Sequence, residues 1–158
     1  MESIVKPRLP NHVAMAPELY KAMLALEAAI GASGLEHGLL VLLKLRASQI
    51  NGCAYCIHMH LADLRASGEE QSRLDLLSAW RETSLFTPRE RAALAWTEAL
   101  TLLADTKAPD ADYESLRAEF TPEEQVKLTF AIGAINVWNR LQVGFRAQPA
   151  MQKVQHAA

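Results

Sequence analysis

Apolar residues recur at spacings of three and four along almost every segment of this 158-residue chain, and no stretch alternates apolar and polar residues for the length of a strand. That periodicity predicts an all-α bundle of about six to seven helices. Residues 17–30 carry one stripe, Leu19, Met23, Leu26 and Ile30, and Gly31 and Gly34 stop it. Residues 35–50 are apolar all round (Leu39, Leu40, Val41, Leu42, Leu43), which predicts burial on most sides, within the domain or at a subunit interface. Asn51-Gly52 breaks that helix, and a third runs from about Cys53 to Ala66 with Gly68 just beyond its end. Shorter helices are expected over 70–80 and 109–120. Thr87-Pro88-Arg89-Glu90 and Thr121-Pro122-Glu123-Glu124 each open a helix, running to about Leu103 and Phe145. In both, Thr suits the N-cap, Pro the first helical position and Glu the third, where it completes a capping box. The repetition reads as two uses of a good start signal rather than as internal duplication.

Length suits one domain over 1–158, with an N-terminal arm (1–16) and a C-terminal tail (147–158). Sixteen Lys and Arg against eighteen Asp and Glu leave a net charge of -2, which offers no field for nucleic acid. No run approaches the roughly 18 apolar residues of a membrane span, and the first ten residues lack the apolar stretch of a secretory signal. A cytoplasmic protein is expected. There a disulfide is more often transient and catalytic than structural.

Cys53 and Cys56, the chain's two cysteines, close too short a loop to staple a fold. On a helix they lie one turn apart, with His60 one turn beyond Cys56, so the three share a face. Asn51-Gly52 puts Cys53 at a helix N-terminus, where free N–H groups favour a thiolate; an imidazole has the same effect. A base one turn from a thiol, with a second thiol in disulfide reach, is a redox unit. Cys56 would be oxidised to a sulfenic acid and Cys53 would resolve it. Zinc would find three ligands in Cys53, Cys56 and His60, but no second cysteine pair follows, and His58 points about 200° away from His60. A c-type haem needs histidine where Ile57 stands. The plainest alternative is two buried cysteines acting as small apolar residues.

The run Leu45-Arg46-Ala47-Ser48-Gln49-Ile50-Asn51-Gly52-Cys53-Ala54-Tyr55-Cys56, followed by Met59-His60, resembles the AhpD-like alkylhydroperoxidases of the carboxymuconolactone decarboxylase superfamily. The likeness continues through 79–82, 90–98 and 136–141. The resemblance implies an all-helical fold assembling as trimers or hexamers, and a peroxidase acting on hydroperoxides without metal, haem or other cofactor. It implies Cys56 as peroxidatic cysteine, Cys53 as resolving cysteine and His60 in a proton relay. It also implies a dithiol reductant of the lipoyl-bearing kind.

Two positions depart from that pattern. Val41 stands where the relay glutamate belongs, twelve before Cys53, and Tyr55 replaces a histidine. Valine moves no protons, so a general-base contribution of about a hundredfold must come from elsewhere or be lost. Glu36 falls on another helix face; Glu98 is a candidate with a solvated carboxylate as its alternative; Asp63, one turn past His60, is placed to orient the imidazole or to pair with Arg65. Trp80, Trp96 and Trp138 read as core. Asn136, Asn139 and Arg140, in an apolar helix, ask for buried hydrogen-bond partners. His12, His37 and His156 carry no spacing signal. The expected function is a thiol peroxidase; a dithiol–disulfide reductase with weak peroxide activity and a redox-sensing oligomer follow, and decarboxylation, which gains nothing from a thiol pair, comes last.

Overall fold

The computed structural model describes residues 5–150. Nine α-helices appear among them: α1 His12–Met15, α2 Pro17–Gly31, α3 His37–Asn51, α4 Ala54–Ala66, α5 Gln71–Leu76, α6 Pro88–Thr101, α7 Leu103–Thr106, α8 Asp110–Glu119 and α9 Pro122–Gly144. The fold is all-helical, with more helices than the six to seven expected. The two additions, α1 and α7, are single turns of four residues, too short to show a 3.6-residue period. Residues 70–80, expected as one helix, divide into α5 and a 3₁₀ segment, Leu77–Glu82, whose Ala79 leaves helical geometry; Leu77 and Trp80 are buried there. No helix among the described residues is long and apolar enough to cross a membrane.

The apolar helix α3 is the central one and packs against α4, α6 and α9. Leu39, Leu40 and Leu43 enter one core cluster with Ile30, Leu116, Leu128 and Ile132. Val41, Leu42 and Leu45 enter another with Leu64, Leu77, Trp80 and Leu94. Each fully buried leucine is worth about 1.5–3 kcal/mol of transfer free energy, so a helix greasy on every side needs partners on every side, and finds them within the chain.

Both capping boxes form. Thr87 Oγ1 accepts from the Glu90 amide (3.2 Å) while Glu90 Oε2 accepts from the Thr87 amide (2.8 Å). Thr121 and Glu124 repeat the exchange at 3.3 and 2.9 Å. At the other end of the chain order, Arg8 ties the N-terminal arm to the end of α9. Its amide donates to the Phe145 carbonyl (2.8 Å) and its guanidinium to that of Gly144 (3.1 Å). The arm's α1 thereby lies beside the cavity described below, which Val13 helps line. Of the expected tail, 151–158 lies outside the described residues, and so does His156.

Candidate active site

The turn between α3 and α4 sets the position of the cysteines. Gly52 takes the left-handed conformation (φ 66°). Its amide donates to the Gln49 carbonyl (3.3 Å) and the Cys53 amide to that of Ser48 (2.9 Å), the paired bonds that close a helix with a Schellman motif. Cys53 is then also the N-cap of α4, its Sγ accepting from the Cys56 amide at 3.3 Å. One residue ends the first helix and starts the second. Cys53 and Cys56 are joined by a disulfide, their Cα atoms 5.3 Å apart, and both side chains are buried.

His60, one turn along α4, is 6% exposed and hydrogen-bonds through neither ring nitrogen. Burial, reinforced by the Lys44 ammonium, pulls its pKa down to about 4, against the opposing pull of Asp63 and Glu27. The imidazole is therefore neutral at pH 7. Buried polar atoms are nearly always satisfied, and the exception here faces a cavity.

That cavity, about 450 Å³, is lined by both Cys56 and His60. Three helices turn matched stripes toward it, each spaced by three, four or seven residues. From α4 come Cys56, Met59, His60 and Asp63; from α2, Tyr20, Leu24 and Glu27; from α9, Ile135, Trp138 and Gln142. Lys44 joins them from α3. Cys53 is not among the lining residues, so the chamber presents Cys56 of the two.

Glu27 is the acidic group that the sequence reading missed. Its Oε1 accepts from Trp138 Nε1 (3.1 Å) and its Oε2 from Lys44 Nζ, and the pair is largely buried. Only one sequence signal pointed to it, an acid set in the Ala- and Leu-rich second half of α2, away from Glu18 in the first turn. Glu98 sits elsewhere. Burial would raise its pKa, but bonds from Trp80 (2.7 Å), Arg46 (2.9 Å) and Arg81 (3.0 Å) outweigh that and lower it. It is neither a cavity residue nor a solvated carboxylate. Val41 lies in the second core cluster, Glu36 pairs with Arg89 at the surface (2.8 Å), and Asp63 makes no hydrogen bond to His60. No three His, Cys, Asp or Glu side chains among the described residues are grouped to hold a metal ion.

The tryptophans divide. Trp80 is core; Trp96 is half-buried and donates to Thr129 Oγ1 (3.1 Å); Trp138 forms cavity wall. Asn136 and Asn139 find the partners expected of them, whereas Arg140 is exposed and donates to the Asn136 carbonyl (2.9 Å). His12 is buried against Phe145, ring centroids 5.1 Å apart, and His37 is exposed.

A profile of the carboxymuconolactone decarboxylase family matches residues 17–99. An uncharacterised protein of Bacillus subtilis (strain 168), YdfG, is 38% identical over 133 residues, which is 84% of this chain and 90% of that protein. Among solved structures, a protein of unknown function from Agrobacterium tumefaciens, a candidate antioxidant defence protein AhpD, is 50% identical with a TM-score of 0.89. The match covers 93% of this chain and all of that one (100%). An uncharacterised peroxidase-related protein from Ralstonia eutropha JMP134, with an alkylhydroperoxidase AhpD core, is 25% identical with a TM-score of 0.76, over 90% of this chain and 76% of its own.

Proposed function

Because the chain belongs to the carboxymuconolactone decarboxylase family, we propose that it is an AhpD-like thiol peroxidase that reduces hydroperoxides through a Cys53/Cys56 dithiol–disulfide cycle. The observation that carries this reading is the shared cavity of Cys56 and a buried, neutral, unpartnered His60, with Cys53 bonded to Cys56. Likeness to AhpD-like antioxidant and peroxidase-related proteins supports it.

In the reduced protein, His60 takes the Cys56 proton and the thiolate attacks the distal oxygen of the hydroperoxide. The O–O bond breaks, Cys56 becomes a sulfenic acid, and the departing alkoxide takes the proton from His60 to leave as an alcohol. The Cys53 thiol then attacks the Cys56 sulfur; the S–S bond forms, the S–O bond breaks, and the departing hydroxide leaves as water with the proton that Cys53 gives up. A dithiol reductant, for which a lipoyl-bearing protein is the candidate class, restores the pair by thiol–disulfide exchange at Cys56, the sulfur facing the cavity. Glu27 takes the relay place that Val41 leaves vacant, its charge favouring the imidazolium that forms in the first step. The functional unit is a homo-oligomer, a trimer or hexamer.

Stopped-flow mixing of the reduced protein with hydrogen peroxide and with an organic hydroperoxide tests the reading. Rapid loss of two thiols is expected, abolished by Cys56→Ser, while Cys53→Ser stops at a trappable sulfenic acid. Equal rates for Cys56→Ser and wild type would overturn it.

A further inference from the structure

Immediately before the cysteine turn lies a buried polar network that the proposed chemistry does not use. Asn51, the last residue of α3, donates to Asn139 Oδ1 (2.9 Å) and Asn136 Oδ1 (3.0 Å) on α9. Asn139, 1% exposed, donates in turn to Ser48 Oγ (3.0 Å), and Ser48 donates to the Lys44 carbonyl (2.7 Å). Asn136 donates to Thr101 Oγ1 on α6 (3.1 Å) and to the Ile132 carbonyl (2.9 Å). Three helices are thereby locked together at one point.

We propose that Asn51, Asn139 and Ser48 are positioning residues for the resolving thiol, holding the last turn of α3 so that Cys53 stays within bonding reach of Cys56 in both redox states.

The link to the cysteine is covalent and short. Ser48 connects the network to the cysteine: its hydroxyl accepts from Asn139, and its carbonyl accepts from the Cys53 amide at 2.9 Å. Asn51 immediately precedes Gly52, whose left-handed conformation turns the chain from α3 into α4. Stability alone is a poor reason for five linked amide and hydroxyl side chains, of which Ser48, Asn139 and Thr101 are buried, since well-packed apolar residues of like volume serve a core as well. A satisfied network fixes one geometry instead. What is fixed here is the backbone from which the Cys53 Sγ reaches the first turn of α4. In the dithiol, that constraint keeps Cys53 beside Cys56 at little further entropy cost, so closing the disulfide is favoured; a loosened turn lets the thiol wander and disfavours closure.

The inference rests on Cys53 and Cys56 exchanging between dithiol and disulfide, and its test needs no peroxide. The ratio of disulfide to dithiol is measured in dithiothreitol redox buffers for the wild type, Asn51→Ala, Asn139→Asp and Ser48→Ala. The last removes one hydroxyl with almost no change in volume and guards against a variant that fails to fold. Thr97→Ala is the control: Thr97 is as buried, its hydroxyl donates to the Ala93 carbonyl (2.7 Å), and it lies outside the network. Asn51→Ala and Asn139→Asp are expected to lower the equilibrium constant about tenfold, and Ser48→Ala to shift it in the same direction, because a lost constraint lowers the effective concentration of one thiol at the other. Thr97→Ala should stay within about twofold even where it lowers Tm as much. The proposal is overturned if the network variants all stay within that twofold band, or if Thr97→Ala shifts the ratio equally. A wild type that equilibrates normally but ignores peroxides would sink the peroxidase reading and leave this one standing.

Discussion

Trp138 Nε1 donates to Glu27 Oε1 at 3.1 Å, tying α9 to α2 across the cavity that holds Cys56 and His60. The second oxygen of the same carboxylate accepts from Lys44. A carboxylate held at both oxygens keeps one orientation, which is what a relay group needs. On the proposed mechanism it supplies the carboxylate that position 41 lacks.

Glu27→Gln keeps the shape and removes the charge. The second-order rate of Cys56 oxidation should fall about a hundredfold, the usual weight of a general acid–base contribution. Stopped-flow thiol loss gives the number. Trp138→Phe, which removes one donor and leaves the carboxylate paired with Lys44, should have a smaller effect; a larger one would argue against Glu27 as the proton-handling group.

Glu98→Gln should do the reverse. Its carboxylate gathers Trp80, Arg46 and Arg81, and a hydrogen bond to a charged group contributes about 1.5–3 kcal/mol net. Denaturant unfolding should show a loss of at least about 1.5 kcal/mol, with the rate of thiol oxidation left within about twofold because Glu98 lies outside the cavity. Loss of rate without loss of stability would restore Glu98 to the site.

What the sequence disclosed and what it withheld divide along sequence distance. Cys53, Cys56 and His60 were legible because one helix carries all three, and the Asn51-Gly52 turn could be read from two adjacent residues. The capping boxes were equally local. Glu27 was hidden because its meaning comes from Lys44, 17 positions away, and Trp138, 111 positions away. Periodicity found the core face of α2 but carried it one turn too far: Ile30 enters the first core cluster with Met23 and Leu26 packed against it, whereas Leu19 is 70% exposed. The neighbouring stripe of Tyr20, Leu24 and Glu27 lines the cavity, and nothing in the sequence of α2 alone marks it as doing so.

The cap of α9 offers a test of local stability. Thr121→Ala removes the acceptor for the Glu124 amide and should lower stability by about 1 kcal/mol, a fall in Tm of about 2–4 °C for a chain this size. Thr121→Ser, retaining the hydroxyl, should recover most of it. The corresponding Glu124→Ala should lose more than its share of the box, since Glu124 also pairs with Arg89 (2.7 Å).

Stability depends on pH through His60. His60 has its pKa lowered to about 4 by burial first and then by Lys44, against about 6.5 in an unfolded chain. Between those two values the unfolded state binds a proton that the folded state refuses, so stability falls as pH drops from about 6.5 toward 4 and is flat above. At 1.36 kcal/mol per unit, the full loss is on the order of 3 kcal/mol. His60→Leu should remove that slope: urea midpoints at pH 7 and pH 4.5 should lie closer together in the variant than in the wild type. Lys44→Met should move the midpoint of the His60 ring titration upward by NMR, because the ammonium that opposes imidazolium is gone and the Glu27 carboxylate that favours it is left uncompensated. A downward move, or an unchanged one, would mean that Lys44 is not a controlling charge at this histidine.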